Sequence, residues 1–393
     1  MIRALTDSDL PRLNELHSRG EDMSPRQRQR GDLVYRQLFP QLYERHPWQD
    51  DRYASLVAED RNGLLTGVLG VMNRPFVLNG RQVTAAISAE LFVDRSSRAS
   101  LAGIQLLKKF LAGPQDFSLA DVANNATRKI WTRLGGRMLP TYGLSWMAVL
   151  SPCRFGLTLG AGRSPLVRMA IPFARMADSI ARKYMQMQSD TSLARLQSEP
   201  LTSVSFARLL PELLDHHSLR PVVDETAAAW LWNRLNFVAR GAGPSRQTLV
   251  LSRNGEPLGW YIYQWKPGRV ARVTQLVARP DAQNEVFGHL LHTLKQSNIP
   301  GAVGRLQPEF LQVLSDSGCL FRRRSRRVLI HSRNPELLDA FQSGDAFLSL
   351  LDGEGAVQLW NDPLDALRLA ATSDAARSSL FRSNTAGAGS HSV

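Results

Sequence analysis

Cysteine is nearly absent from this chain: Cys153 and Cys319 are the only two in 393 residues. Two thiols without paired spacing build neither a disulfide framework nor a cysteine-based zinc site, and they suit a reducing compartment. Long apolar runs are missing as well. No stretch of about 18 apolar residues occurs, as a spanning helix requires, and the opening MIRALTDSDLPRLNELH carries acids where a secretion signal has a cationic start and an apolar centre. A cytoplasmic protein without stable membrane insertion is the expectation. Acidic charge is in short supply: 48 Lys and Arg stand against 35 Asp and Glu, for a net charge of +13. Such a field draws in polyanions and acidic surfaces, and it equally describes a solvated, arginine-rich surface with no special partner.

What is present is ordinary for a folded chain: 43% hydrophobic and 21% charged residues, enough to bury sizeable cores. The length predicts two domains of about 150–200 residues and a connector. MIRAL reads as an opening strand. TDSDLPRLNELHSR reads as a helix, with Thr6 or Ser8 as cap and Leu10, Leu13 and Leu16 on one face, and LVYRQLFPQLYERH as a second helix. Between Tyr53 and Val93, the pairs Asn62–Gly63 and Asn79–Gly80 sit between apolar runs, the strongest short-range hairpin signal. Three antiparallel strands are predicted there, the last being VTAAISAELFV. An amphipathic helix follows, with Leu101, Ile104, Leu107, Phe110 and Leu111 predicted on its apolar face. FSLADVA is a further strand and NATRKIWTRL a further helix, ended by Gly135–Gly136.

A fainter second copy lies downstream. LVAEDRNGLLTGVLGVM and LVLSRNGEPLGWYIYQW share Arg-Asn-Gly followed four residues later by glycine, at Gly63/Gly67 and Gly255/Gly259. The next segment, RVARVTQLVARPDAQNEVFGHLLHTLKQ, is again a strand followed by a helix, so an internal duplication is expected. Domains are predicted at 1–152 and 201–371. Between them lies a glycine-rich connector, 153–200, with a basic amphipathic helix carrying Arg168, Arg175, Arg182 and Lys183. That helix packs across a domain interface or rests weakly on an anionic membrane. Residues 372–393 are predicted to be a disordered tail.

The junction between the motif strand and its helix carries the chemistry. RASLAG, Arg98 to Gly103, places small residues and one arginine where a helix N-terminus exposes free N–H groups and the positive end of its dipole, an anion site. Amides of Leu101, Ala102 and Gly103 would point at a pyrophosphate, with Arg98 adding charge and Ala99 and Ser100 keeping the backbone reachable. This order resembles the GCN5-related N-acetyltransferase family, whose signature is Arg or Gln, two residues, Gly, one residue, then Gly or Ala. Arg98 and Gly103 match its ends, and Leu101 stands where the family usually has glycine. The resemblance covers roughly residues 1–150, including ADVANNATRKIWTRLGGRML, which is similar to the family's fifth strand and following helix. Trp131 stands there in place of a tyrosine that often serves as general acid, and Gly136 in place of an aromatic. Residues of about 203–350 resemble a degenerate second copy.

The resemblance implies an α/β (α+β) fold of two such domains, each a mixed, mostly antiparallel sheet flanked by helices. It implies an acyltransferase that moves an acyl group from acetyl-CoA or another acyl-CoA to a primary amine or amino sugar by direct attack, without a metal. Main-chain groups of Phe92 and Val93 would pair with pantetheine, and Asn125 would hold the cofactor or cap its helix. Glu90 is the candidate base, since a carboxylate inside an apolar strand is costly unless paired or functional; an outward-facing glutamate is the plain alternative. Tyr142 is the candidate replacement for the missing tyrosine acid, or else a packed core residue. Two other functions fit the fold: a transferase using aminoacyl-tRNA or an acidic acyl carrier protein, and a non-catalytic binding module in polysaccharide or envelope assembly. The pair His216–His217 lacks cysteine or carboxylate partners at ligand spacing and reads as solvated.

Overall fold

The computed structural model describes residues 1–20, 39–43, 45–94, 100–160, 196–323 and 327–354. Both early Asn-Gly pairs form tight turns. Gly63 has φ +76, and Asn79 and Gly80 have φ +49 and +82, the consecutive left-handed pair of a two-residue hairpin. These turns join β2 (Leu56–Glu59), β3 (Leu65–Leu78) and β4 (Arg81–Val93) into an antiparallel ladder, with β1 (Ile2–Ala4) on its outer edge. β5 (Phe117–Ala123) then runs parallel to β4. A parallel neighbour requires a crossover, and the helix Ser100–Leu111 makes it.

That helix buries Ala102, Leu106, Leu107, Phe110 and Leu111 over Val71, Ala86 and Trp131. Leu101 and Ile104, expected on the same face, are instead 60% and 38% exposed. Gly103 faces β4 so closely that an added Cβ would lie 3.3 Å from Val93 Cγ2. At 100° per residue, Gly103 facing inward turns positions 106, 107 and 110 inward and 101 and 104 outward. The opposite side of the sheet is covered by the helix Leu10–Gly20 and by Phe39–Tyr43, which bury Leu13, Leu16, Phe39 and Leu42 against Val68, Met72 and Ile87.

The second half repeats the order. β10 (Ser245–Leu251), a turn at Gly255 with φ +81, β11 (Pro257–Gln264) and β12 (Ala271–Ala278) form an antiparallel ladder, the helix Gln283–Gln296 crosses over, and β13 (Gly301–Arg305) pairs parallel with β12. β8 (Gln197–Pro200), placed in the connector from sequence, is the outer strand of this sheet.

Chain order and sheet membership part company at one strand of the first half and two of the second. β6 (Arg137–Met138) stays in the first sheet, but β7 (Leu144–Val149) crosses to the second, between β13 and β14 (Leu320–Arg323). β15 (Arg327–Ser332) returns to the first sheet, between β5 and β6. Among the described residues this gives one eight-stranded and one seven-stranded sheet, each mostly antiparallel; the first takes β9 and β15 from the second half, and the second takes β7 from the first. β9 (Leu219–Pro221) adds a further link by pairing with the end of β3. Where the sheets meet, Arg305 Nη2 lies 2.6 Å from Asp121 Oδ2, with both side chains at most 1% exposed. Removing one partner of so buried a pair strands a charge and costs about 3–5 kcal/mol. The basic stretch Arg168 to Lys183 and the tail 372–393 lie outside the described residues.

Candidate functional site

β4 and β5 pair only at Ala85–Phe117, Ala86–Ser118 and Ile87–Leu119. From Ser88 onward the strands diverge: β4 keeps β3 as its ladder partner and β5 keeps β15. Ser88 stands at the fork, its hydroxyl 3.5 Å from the Leu119 carbonyl. Just inside the open stretch, Leu69 faces two residues of β4, Glu90 and Leu91, between the pairs Val68–Phe92 and Gly70–Ala89. This bulge holds Glu90 at φ +48, a left-handed conformation that costs a non-glycine residue about 1–2 kcal/mol. A bulge also turns its extra residue out of the regular ladder and bends the strand there. Phe92 and Val93 follow, paired to Val68 and Gly67 on one side and bordering the fork on the other.

The N-terminus of the helix Ser100–Leu111 opens beside that stretch. Gly103 touches Val93, Ala102 is buried, and Leu101 projects outward. Among the described residues no backbone acceptor takes the N–H of Leu101 or Ala102. Arg98 and Ala99, and the side chain of Ser100, lie outside the described residues.

Two sequence-based assignments are redrawn. Tyr142 is 1% exposed, and its hydroxyl donates to the Ala346 carbonyl at 2.6 Å. Burial first, then nearby Glu309 and Asp345, raise its pKa above the ordinary tyrosine value. It is a core residue whose hydroxyl proton is committed to the Ala346 carbonyl. The helix Asn125–Arg133 is capped by Asn124, whose Oδ1 accepts from the Thr127 N–H at 2.9 Å; Asn125 is its exposed first residue. Trp131 is fully buried beside Phe110. Its ring explains the missing aromatic at 136, because a Cβ on Gly136 would come within 2.9 Å of it.

A cavity of about 410 Å³ lies where β2 stops and β3 continues, lined by Asp7, Tyr43, His46, Asp50, Asp51 and Asn73 among others. The Tyr43 ring closes on Gly70, the register neighbour of the bulge, so that a Cβ there would meet ring carbons at 3.2 Å. His46 is buried at the cavity wall, and burial together with Arg74 depresses its pKa to about 4. Arg74 is itself buried, stacked 4.5 Å from the Trp48 ring, and donates to the Leu351 carbonyl at 2.6 Å.

The second sheet forks in the same manner, since β12 and β13 pair only from Ala271–Ala302 to Val273–Gly304, with a register shift at Thr274. Here the fork is filled by the chain itself. Leu350 N–H donates to the Thr274 carbonyl at 3.0 Å, Gln275 Nε2 to Ser349 Oγ at 3.2 Å, and Arg305 Nη1 to the Ser349 carbonyl at 3.1 Å. Gln307 Nε2 closes the gap by donating to the Leu276 carbonyl at 2.8 Å. Nothing in the local sequence of residues 347–352 announces this plug, because the contacts that define it come from strands about 75 residues earlier.

No protein-family model matches the chain, and no curated protein matches it. Solved structures do. A conserved protein of unknown function from Enterococcus faecalis V583, titled a probable N-acyltransferase, superposes with a TM-score of 0.52 at 9% identity, over 84% of this chain and 72% of that one. A GCN5-related N-acetyltransferase from Kribbella flavida gives 0.50 at 14% identity, over 84% and 71%. Another from Anabaena variabilis ATCC 29413 gives 0.51 at 15% identity, over 86% and 74%. Coverage above four fifths exceeds either half alone, so the likeness takes in both sheets. The fold is that of the GCN5-related N-acetyltransferases, in a two-sheet arrangement.

Proposed function

We propose that the protein is an acyl-CoA-dependent N-acyltransferase, with its donor site in the first half and a primary amine as acceptor. The observation that carries this reading is the fork after Ile87 and Leu119 with the bulge at Glu90 on its edge. An open strand edge accepts an extended amide-bearing arm as an added strand, which is how pantetheine would lie along Phe92 and Val93. The helix mouth at Leu101, Ala102 and Gly103 would face the pyrophosphate, with Arg98, Ala99 and Ser100 completing the turn. Acetyl-CoA, or a longer acyl-CoA, supplies an activated thioester.

The chain's own groups do the rest. A main-chain N–H on the β4 edge beside the bulge polarises the carbonyl, as an oxyanion site does. Glu90, half-buried on the same bulge, takes the proton of the attacking amine directly or through a water. The carboxylates of Asp7 and Asp51 at the neighbouring cavity offer partners to a cationic amine, beside Arg45 and an Asp50 already paired with Arg52 at 2.6 Å. Filling of the second fork supports reading residues 201–371 as a duplicated, degenerate copy that shapes the molecule without holding a donor.

The test is release of free thiol from acetyl-CoA in the presence of a panel of primary amines. Amine-dependent thiol release is the expected result. A protein that binds acetyl-CoA yet transfers to none of them points to the binding-module alternative, and one that does not bind it sinks the reading.

A further inference from the structure

His216 and His217 follow the helix Ser203–Leu213, and Glu309 lies in the short turn Pro308–Phe310 beyond β13. Sequence distance hides the trio: the carboxylate that meets both histidines arrives from 92 residues away. Both Nε2 atoms converge on one oxygen, Glu309 Oε2, at 3.2 Å and 2.9 Å. All three candidate ligand atoms lie within 4.8 Å of one another. Tetrahedral zinc with bonds of about 2.0–2.1 Å sets neighbouring ligand atoms about 3.3 Å apart, close to the two His–Glu separations of 3.2 Å and 2.9 Å, so a dication fits once the two imidazole nitrogens settle to that spacing.

The surroundings are built to hold such a trio. Gln307 Nε2 donates to the other oxygen of Glu309 at 3.3 Å, and Arg220 Nη1 donates to the His217 carbonyl at 3.1 Å, pinning the loop. Asp215 stands 3.9 Å from His216 Nδ1, on the side where outer carboxylates orient metal-bound histidines. The side chains of His217 and Glu309 are 5% and 10% exposed, whereas that of His216 is 27% exposed. The trio is therefore closed toward the protein and open to solvent for a fourth ligand. Two imidazoles with one carboxylate select a zinc-class dication over calcium or magnesium, which take oxygen ligands.

We propose that His216, His217 and Glu309 bind a zinc-class divalent cation that ties the loop before β9 to the turn after β13. Because β9 pairs with β3, the ion would fasten the second half to the edge of the first sheet. This inference is independent of the acyltransferase reading.

Full-length protein stripped with a chelator is titrated with zinc alone against a chromogenic competitor, and its melting is followed with and without zinc. One zinc per chain, a raised melting temperature, and the visible absorption of tetrahedral cobalt on substitution are expected. His216→Ala and Glu309→Gln should each weaken zinc binding at least about tenfold. His292→Ala, which removes an exposed histidine bonded to Gln296, should leave it unchanged. His216 is the more exposed histidine, so its variant keeps the test valid if changes at buried His217 prevent folding. A parent protein that takes up no stoichiometric zinc, or variants that bind as the parent does, overturns the proposal and leaves a hydrogen-bonded clasp.

Discussion

The two forks share a backbone plan and differ in what occupies them. In each, a parallel pair holds for three residues and then parts beside an irregularity in the upstream strand. In the second, Ser349 and Leu350 lie between the parted strands and satisfy Thr274, Gln275 and Arg305. In the first, β4 carries a glutamate in a left-handed bulge beside a helix mouth with exposed Leu101. A parted strand pair must satisfy its main-chain groups with something. The second half uses its own chain on both strands; in the first, Arg305 Nη2 donates to the Asp121 carbonyl of β5 at 3.3 Å, and on our reading a substrate takes the β4 edge.

The largest test of this comparison is to separate the halves. A chain cut to residues 1–152 loses β15, which leaves β5 an open edge and β7 without a sheet. Such edges aggregate, so the fragment should be unfolded or insoluble while the full chain is soluble; a folded, monomeric fragment would show that the strand exchange is dispensable.

Chemistry should be confined to the first fork. Glu90→Gln should lower kcat about 10²–10⁴-fold, the range for loss of a general base, with acetyl-CoA affinity within about threefold. Thr274→Val, at the matching irregularity of the plugged fork, should change turnover less than about twofold. Equal effects at both positions would erase the distinction.

Acidification probes the wall of the cavity beside the first fork. His46 has a folded pKa of about 4 against 6.5 unfolded, so it stays neutral in the folded state while the unfolded chain takes up a proton. Its contribution is fully present above about pH 6.5 and is lost as pH falls toward 4, a loss of about 3 kcal/mol. Melting temperature should drop over that window, and His46→Gln should flatten the drop; an unchanged slope would place the titration elsewhere.

The smallest effect is expected at the plug. Ser349→Ala removes hydrogen bonds to Gln275, Asp352 and the Leu351 N–H in a buried place. Unfolding measurements should show a loss of about 1–3 kcal/mol, without gain of a second acetyl-CoA site.

Local signals carried most of the fold. Asn-Gly turns and alternating strands follow from backbone preferences of neighbouring residues, and the structure contains them at the expected places; the Asn-capped helix is there too, with its cap one residue earlier, at Asn124. The face of the helix Ser100–Leu111 was misjudged because Leu101 and Ile104 look apolar in sequence, while close approach of Gly103 to β4 decides the rotation. Strand exchange, the plug and the His216–His217–Glu309 trio depend on contacts between residues about 75 to 200 apart, which no local pattern encodes. Glu90 was singled out for its charge; its bulge and positive φ come from register with β3 and were not legible.

The central claim is that one fork, the first, holds the donor. Calorimetric titration of the full chain with acetyl-CoA tests it most directly, paired with Gly103→Leu, whose side chain would push the helix mouth off Val93. One site per chain, weakened about tenfold or more by that substitution, is the predicted result. Two equivalent sites per chain, or a single site indifferent to Gly103→Leu, would contradict it.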